Sequence, residues 1–343
     1  MPRVRRVIHA VRSDAFAGVE RYIVEVTNEL VRRGTEVAVI GGDPTSMRAH
    51  LPAATEWRAA ATTRAVGRAL RDMAPADIVH VHMTAAELAA LVLPRRTAVV
   101  ATRHFAGSRG SGPAAPLLRR AIERRLTAEI AISDFVARSC NTTPVVLHNG
   151  TPEVPPSAGT EPLVVVIQRL QPEKRTADAL RIWERSGLHE HGWRLAIAGG
   201  GSQAEALADE VRRREIPAVE LLGHLQHPGE LHQRARLALA TAPAEPFGLS
   251  VVEMMAAGLP VVACGGGGHL ETIGRAAPEL TYRPGDLEAA AELLRATALD
   301  DQCRAELAAR IRAHHHDHLT IERHVDELLR VYDDALAAGR GRS

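Results

Sequence analysis

Short runs of β-branched residues alternate with amphipathic helical stretches along almost the whole chain, and this alternation restricts the architecture more than any single motif. "VRRVIHAV" reads as a first strand. The loop "RSDAFAG" leads into the helix "VERYIVEVTNELVRRG", which Gly34 closes at its C-terminal end. "EVAVIGG", "DIVHVH", "TAVVATR" and "EIAIS" read as further strands, with helices around 63–73, 84–92 and 114–126 between them. Strands that alternate with helices in this way argue for parallel α/β sheets.

The alternation stops once. "HNGTPEVPPSAGTEP", 148–162, is rich in Pro and Gly and has no periodicity, so it reads as an interdomain linker. It then restarts with "LVVVIQRL", "WRLAIAGGG", "VELLGHL", "LALATAP" and "PVVACGG", with helices from about 174, at 202–214 and at 249–257. From 286 the tail is helical. The expected fold is therefore α/β, two Rossmann-like domains facing a cleft, an N-terminal one at 1–155 and a C-terminal one at 156–319. In open α/β sheets ligands bind beyond the carboxyl ends of the strands.

The composition leaves few other classes. At 343 residues the chain can bury two cores, and 45% hydrophobic with 24% charged residues is the balance of a globular protein. A formal charge of +1, from 42 basic and 41 acidic side chains, gives no case for nucleic-acid binding. Cys140, Cys264 and Cys303 are odd in number and widely spaced, which reads as reduced cytosolic thiols. The N-terminus lacks the apolar run of a signal peptide, and "AAELAALVL" is about half a membrane span. A cytoplasmic protein is expected.

Two stretches carry chemistry. In "EPFGLSVVE", Glu245 and Glu253 bracket a Pro-Phe-Gly turn and the start of an apolar helix. A helix N-terminus behind Gly248 offers free N–H groups to an anion or polar ligand. The structural alternative is a capping box, Ser250-x-x-Glu253. In "VVVIQRLQPEKRTADAL", Arg169 and Lys174 follow a strand and open a helix, which suits a diphosphate.

Together these stretches resemble the retaining glycosyltransferases of family 4, which have the GT-B fold. The E-x-F-G-x-x-x-x-E motif is matched by Glu245, Phe247, Gly248 and Glu253, and G-R-L-x-x-x-K-G by Gln168, Arg169, Leu170, Lys174 and Arg175. P-N-G-V appears as His148, Asn149, Gly150 and Thr151. G-x-P-V-V-A…G-G-x-x-E is matched by 258–263 and then Gly267, Gly268 and Glu271. In the first half, G-G-x-E-R corresponds to 17–21 and Thr-x-His to Thr102, Arg103 and His104. Gln168, Arg175 and Ala17 stand where the family has glycine.

The resemblance implies a hexosyltransferase that moves a hexose-type sugar from a nucleoside-diphosphate sugar, UDP favoured and GDP the alternative, to a hydroxyl acceptor. It implies that Glu253 binds the ribose hydroxyls and that Arg169 and Lys174 neutralise the departing diphosphate. Glu245 and the amides of Phe247, Gly248 and Leu249 would hold the sugar hydroxyls. His104 would contact the sugar from across the cleft, and Gly18 would let backbone approach the phosphates. The last helix, 320–340, would join the first domain. No cofactor or metal is then required, because preorganised cations already face the leaving oxygen and no Asp-x-Asp pair appears.

Other features have structural readings. His314 and His318 in "HHHDH" read as an exposed helix end rather than a metal pair, and His80 and His82 in "HVH" as cleft-lining or packing residues. The basic stretch "LLRRAIERRL", 117–126, reads as a solvated helix face, with peripheral contact to anionic lipid as the alternative if the acceptor is lipid-linked. A GT-B nucleotide-sugar epimerase would need acid and base carboxylates that the first half does not offer. A catalytically silent partner subunit would not need Glu245, Glu253, Arg169, Lys174 and His104 together. Acceptor choice is assigned to the loops 12–18, 42–60 and 104–113, whether the acceptor is a small molecule, a glycan or a lipid-linked group.

Overall fold

The computed structural model describes residues 4–110, 112–225 and 228–340. The chain divides into two compact units, one running to Gly150 and resuming at Ile321, the other Thr151–Thr320. The division falls at Gly150–Thr151 rather than at 155–156, and the reason is local. The Thr151 N–H donates to the Leu319 carbonyl at 2.9 Å, and its hydroxyl bonds His315 Nε2 at 2.9 Å. The Pro/Gly-rich segment that follows is fastened to the second unit, with the Ser157 and Ala158 amides donating to the carbonyls of Ala257 and Gln233.

The first unit is a seven-stranded sheet of β1 (Arg6–Val11), β2 (Glu36–Ile40), β3 (Glu56–Arg58), β4 (Ile78–His82), β5 (Ala98–Arg103), β6 (Ala128–Ala131) and β7 (Val145–Val146). The spatial order is β3-β2-β1-β4-β5-β6-β7, with every pair parallel. The period of two along β1 builds the core on both faces. Val7 and Val11 pack with Tyr22, Ile23 and Leu30 of helix Gly18–Arg32 and with Val325, Leu328 and Tyr332 of helix Ile321–Arg340. Ile8 and Ala10 face Val66 and Leu70 of helix Thr63–Met73 on the other side. The last helix thus completes one face of the first sheet.

The stretch 42–60, expected as a loop, holds two short elements. Helix Pro44–His50 starts where the Asp43 carboxylate accepts the Ser46 N–H at 2.7 Å, with Pro44 at its first position. β3 then extends the sheet edge, and the Trp57 indole donates to the Gly41 carbonyl at 2.8 Å. In 104–113, residue 111 lies outside the described residues; Arg109 anchors the rest through buried ion pairs to Glu87 and Glu129, both at 2.6 Å.

The second unit is a six-stranded parallel sheet of β8 (Leu163–Ile167), β9 (Arg194–Ala198), β10 (Val219–Gly223), β11 (Leu237–Ala240), β12 (Val261–Cys264) and β13 (Thr281–Tyr282). Its order is β10-β9-β8-β11-β12-β13. β8 pairs with β9 on one side and β11 on the other, so the direction of winding reverses between β8 and β11. Among the described residues no helix is long and apolar enough to cross a membrane.

Because Leu328 is fully buried between the last helix and the first sheet, Leu328→Ala is expected to destabilise the protein by about 2–5 kcal/mol. Urea unfolding monitored by circular dichroism measures this; an unchanged midpoint would contradict the packing role of the last helix.

Candidate functional site

In the second unit, the loops leaving β8 and β11 meet at the point where the winding reverses, the place where open α/β sheets hold ligands. Lys174 ends a short 3-10 turn after β8, and its Nζ forms an ion pair with Glu245 Oε2 from the loop after β11. The two side chains are only 13% and 14% exposed. A pair so withdrawn from water adds little to stability, since desolvation offsets most of the attraction. An ammonium carries three N–H donors, more than this pair uses. The ammonium therefore keeps N–H capacity beyond this ion pair.

Gln168 fixes the lysine's backbone. Its Nε2 lies 3.2 Å from the Lys174 carbonyl, 3.0 Å from Thr176 Oγ1 and 3.1 Å from Thr241 Oγ1, and the Thr241 hydroxyl donates to the same carbonyl at 2.7 Å. One amide thus joins the exits of β8 and β11. Arg175, with φ 51° and ψ 43°, takes the left-handed conformation that favours glycine. Its guanidinium bonds the Asp178 carboxylate at 2.7 Å. Arg169 pairs with Glu173 at 3.0 Å with both side chains more than half exposed, a surface contact too weak to commit its charge.

The Glu245–Glu253 stretch is held from behind. Helix Leu249–Ala256 is preceded by Gly248 at φ +93°, with no side-chain cap. Ser250 therefore lies inside the first turn, and the capping box suggested by Ser250-x-x-Glu253 does not form; Glu253 sits one turn into the helix, half-buried. A Cβ on Gly248 would meet His269 at 3.0 Å and Glu245 at 3.4 Å. The Gly268 N–H donates to the Glu245 carbonyl at 2.7 Å, and a Cβ there would lie 2.5 Å from the Phe247 Cα. Phe247 is buried, at 1% exposure for the whole residue.

His269 was not singled out by sequence. Its Nδ1–H donates to the Cys264 carbonyl at 3.1 Å, and burial pushes its pKa down, with the Glu245 charge opposing. The neutral ring leaves its Nε2 lone pair on the side of Gly248. The glycine run before it and its place after a strand were the available signals.

In the first unit, Gly18 opens helix Gly18–Arg32, and Glu20 of the same motif caps it by accepting the Ala17 N–H at 2.9 Å. His104, just past β5, belongs to a buried network. His82 Nδ1 lies 3.0 Å from His104 Nε2, and His82 Nε2 lies 3.0 Å from His9 Nδ1. A second chain can be oriented from its far end. His324 Nδ1–H donates to the His148 carbonyl at 2.7 Å, so its Nε2 accepts the Tyr22 hydroxyl at 2.9 Å. The Thr102 hydroxyl bonds Tyr22 and accepts His80 Nε2–H at 2.7 Å, and the Tyr332 hydroxyl donates to His80 Nδ1 at 2.6 Å. His9, His80 and His82 are close enough to share a cation. Both nitrogens of His80 are engaged by Tyr332 and Thr102, however, which favours the packing role.

The helix end at 314–318 is also structural. His314 and His318 rings lie tilted against each other with centroids 4.7 Å apart, while His315 is buried against Thr151.

Two family models match the chain in tandem: Glycosyltransferase Family 4 over residues 16–152 and Glycosyl transferases group 1 over 151–314. The glycogen synthase of Mycobacterium tuberculosis is 35% identical over 150 residues, 43% of this chain and 36% of that protein. The chain thus spans about a third of the length of that curated relative. Among solved structures, Anabaena HepE in complex with UDP and glucose superposes with a TM-score of 0.81 at 16% identity, covering 95% of this chain and 99% of that one. Sucrose-phosphate synthase from Thermosynechococcus elongatus gives 0.78 at 17% identity, over 97% and 100%. At these identities the structures establish a shared GT-B fold.

Burial holds His9 and His104 to about 3 and His324 to about 4, against about 6.5 for an exposed histidine. Between those values the unfolded chain binds more protons than the folded one. The stability is complete above about pH 6.5 and is lost as pH falls toward the folded values, by up to about 1.4 kcal/mol per pH unit for each such histidine. Urea midpoints are expected to drop from pH 6.5 to pH 5, where most carboxylates remain ionised; a flat profile would contradict a neutral buried cluster.

Proposed function

The chain belongs to the group 1 and family 4 glycosyltransferases, and from that membership we propose that it is a retaining enzyme transferring a hexose-type sugar from a nucleoside-diphosphate sugar to a hydroxyl acceptor. The observation that carries this reading is the Lys174–Glu245 pair, held nearly out of water between the exits of β8 and β11. Arg169 and Lys174 neutralise the diphosphate as it departs. Glu253 takes the ribose hydroxyls, and Glu245 with the amides of Phe247, Gly248 and Leu249 takes those of the sugar. From the first unit, His104 supplies a hydrogen bond to a sugar hydroxyl, and the backbone at Gly18 approaches the phosphates.

In the reaction, the bond from the anomeric carbon to the phosphate oxygen breaks and the acceptor oxygen bonds that carbon on the same face. The acceptor's proton passes to the leaving diphosphate. Positive charge grows on the sugar and negative charge on the departing oxygen, so fixed cations at that oxygen help most. These cations supply what a divalent metal would otherwise supply, and turnover in EDTA is expected. UDP is the favoured nucleotide; the HepE structure, which holds UDP and glucose, lends support. The acceptor is a small molecule, a glycan or a lipid-linked group, and the protein acts in the cytoplasm.

Calorimetric titration with UDP separates the two glutamates. Glu253→Gln is expected to weaken UDP binding roughly ten- to a hundredfold, the cost of a charged hydrogen bond. Glu245→Gln is expected to bind UDP no more weakly, because Lys174 keeps its charge for the phosphates, while turnover of UDP-glucose falls. Normal UDP binding by Glu253→Gln would overturn its ribose role.

A further inference from the structure

His104, His82 and His9 form one line of imidazoles whose two shared protons must be arranged consistently. Each ring is neutral, because burial disfavours the charged form at every one. Each therefore carries one N–H, and the two 3.0 Å contacts each need one. Only two arrangements satisfy both contacts. In one, protons point inward: His104 Nε2–H to His82 Nδ1, His82 Nε2–H to His9 Nδ1, leaving an N–H on His9 Nε2. In the other they point outward: His9 Nδ1–H to His82 Nε2, His82 Nδ1–H to His104 Nε2, leaving an N–H on His104 Nδ1.

The inner end decides between them. His9 Nε2 is buried and has no hydrogen-bond partner, and the ring is 0% exposed. An orphan N–H there is the rarer and costlier of the two outcomes. Of the three residues, His104 is the one that reaches the surface, at 7% exposure. The neighbours do not reverse this choice. His80, tilted against His82 with ring centroids 4.3 Å apart, is committed to Tyr332 and Thr102, and Tyr22, edge-on to His82 and His104, donates to His324.

We propose that His82, backed by His9, is a positioning residue that holds His104 as its Nδ1–H tautomer, so that His104 presents a hydrogen-bond donor to a hydroxyl oxygen of the sugar. The sugar contact rests on the glycosyltransferase reading; the tautomer does not. Only a group able to donate from the position of His82 Nδ1 serves. The Asn side-chain amide places an N–H near that point, whereas Phe keeps the ring shape without it.

Nitrogen-15 NMR of histidine-labelled protein, with the His104 signals identified by their loss in His104→Gln, reads the tautomer directly. The expected result is Nδ1–H in the wild type, a shift toward Nε2–H in His82→Phe, and Nδ1–H again in His82→Asn. With UDP-glucose, His82→Phe is expected to lose about tenfold in kcat with KM nearly unchanged, and His82→Asn to recover most of it. An Nε2–H tautomer in the wild type, or an unchanged tautomer in His82→Phe, overturns the proposal. Unchanged kcat in His82→Phe with a shifted tautomer overturns the sugar contact. If His82→Phe fails to fold, the wild-type spectrum and His82→Asn still decide, and a wild type inactive on UDP-glucose bears on the functional reading while leaving the tautomer test intact.

Discussion

Holding a lysine ammonium against a glutamate carboxylate away from water costs desolvation that their attraction barely offsets, and much of the second unit's loop structure serves to hold Lys174 and Glu245 in that state. Parallel pairing of β8 with β11 brings the two loops side by side. Gln168 and Thr241 then fix the Lys174 carbonyl from both strand exits. On the other side, the glycine run before His269 lets its backbone press against that of Glu245 and Phe247. The pair is thus held in one fixed arrangement.

One cluster of polar groups in the first unit is kept in the opposite condition. His9, His80, His82, His104 and His324 are neutral and buried and lie in two hydrogen-bonded lines, with the last helix contributing both His324 and Tyr332. A buried polar network of this kind is useful only when its members are satisfied, and it then specifies one arrangement of the core. The single buried nitrogen left without a partner, His9 Nε2 among the described residues of this network, is what gives the His104 line its direction.

Much of this was legible in the sequence because periodicity acts locally. The strands of the second unit and the long helices fall where the apolar runs place them, and the loops that carry Arg169, Lys174 and Glu245 follow the strands the sequence marks. What was not legible depends on register or on the exact helix start. His9 lies beside His80 only because β1 pairs with β4 in that register, and nothing in either strand announces it. Ser250-x-x-Glu253 has capping-box spacing, yet a left-handed Gly248 starts the helix too early for the box to form. Gln168 and Arg175 read as departures from glycine; the structure gives the first a bonding role and places the second in a glycine-like conformation. Helix Pro44–His50 and β3 were too short and polar to rise above a loop.

The exits of β8, β11 and β12 are the site proposed for a nucleotide-sugar donor. Hydrogen–deuterium exchange with saturating UDP-glucose tests it most directly. The account predicts slower exchange at 168–176, 241–253 and 265–271, and loss of that protection in Lys174→Ala. Protection absent from all three segments, or equally strong in Lys174→Ala, would contradict it.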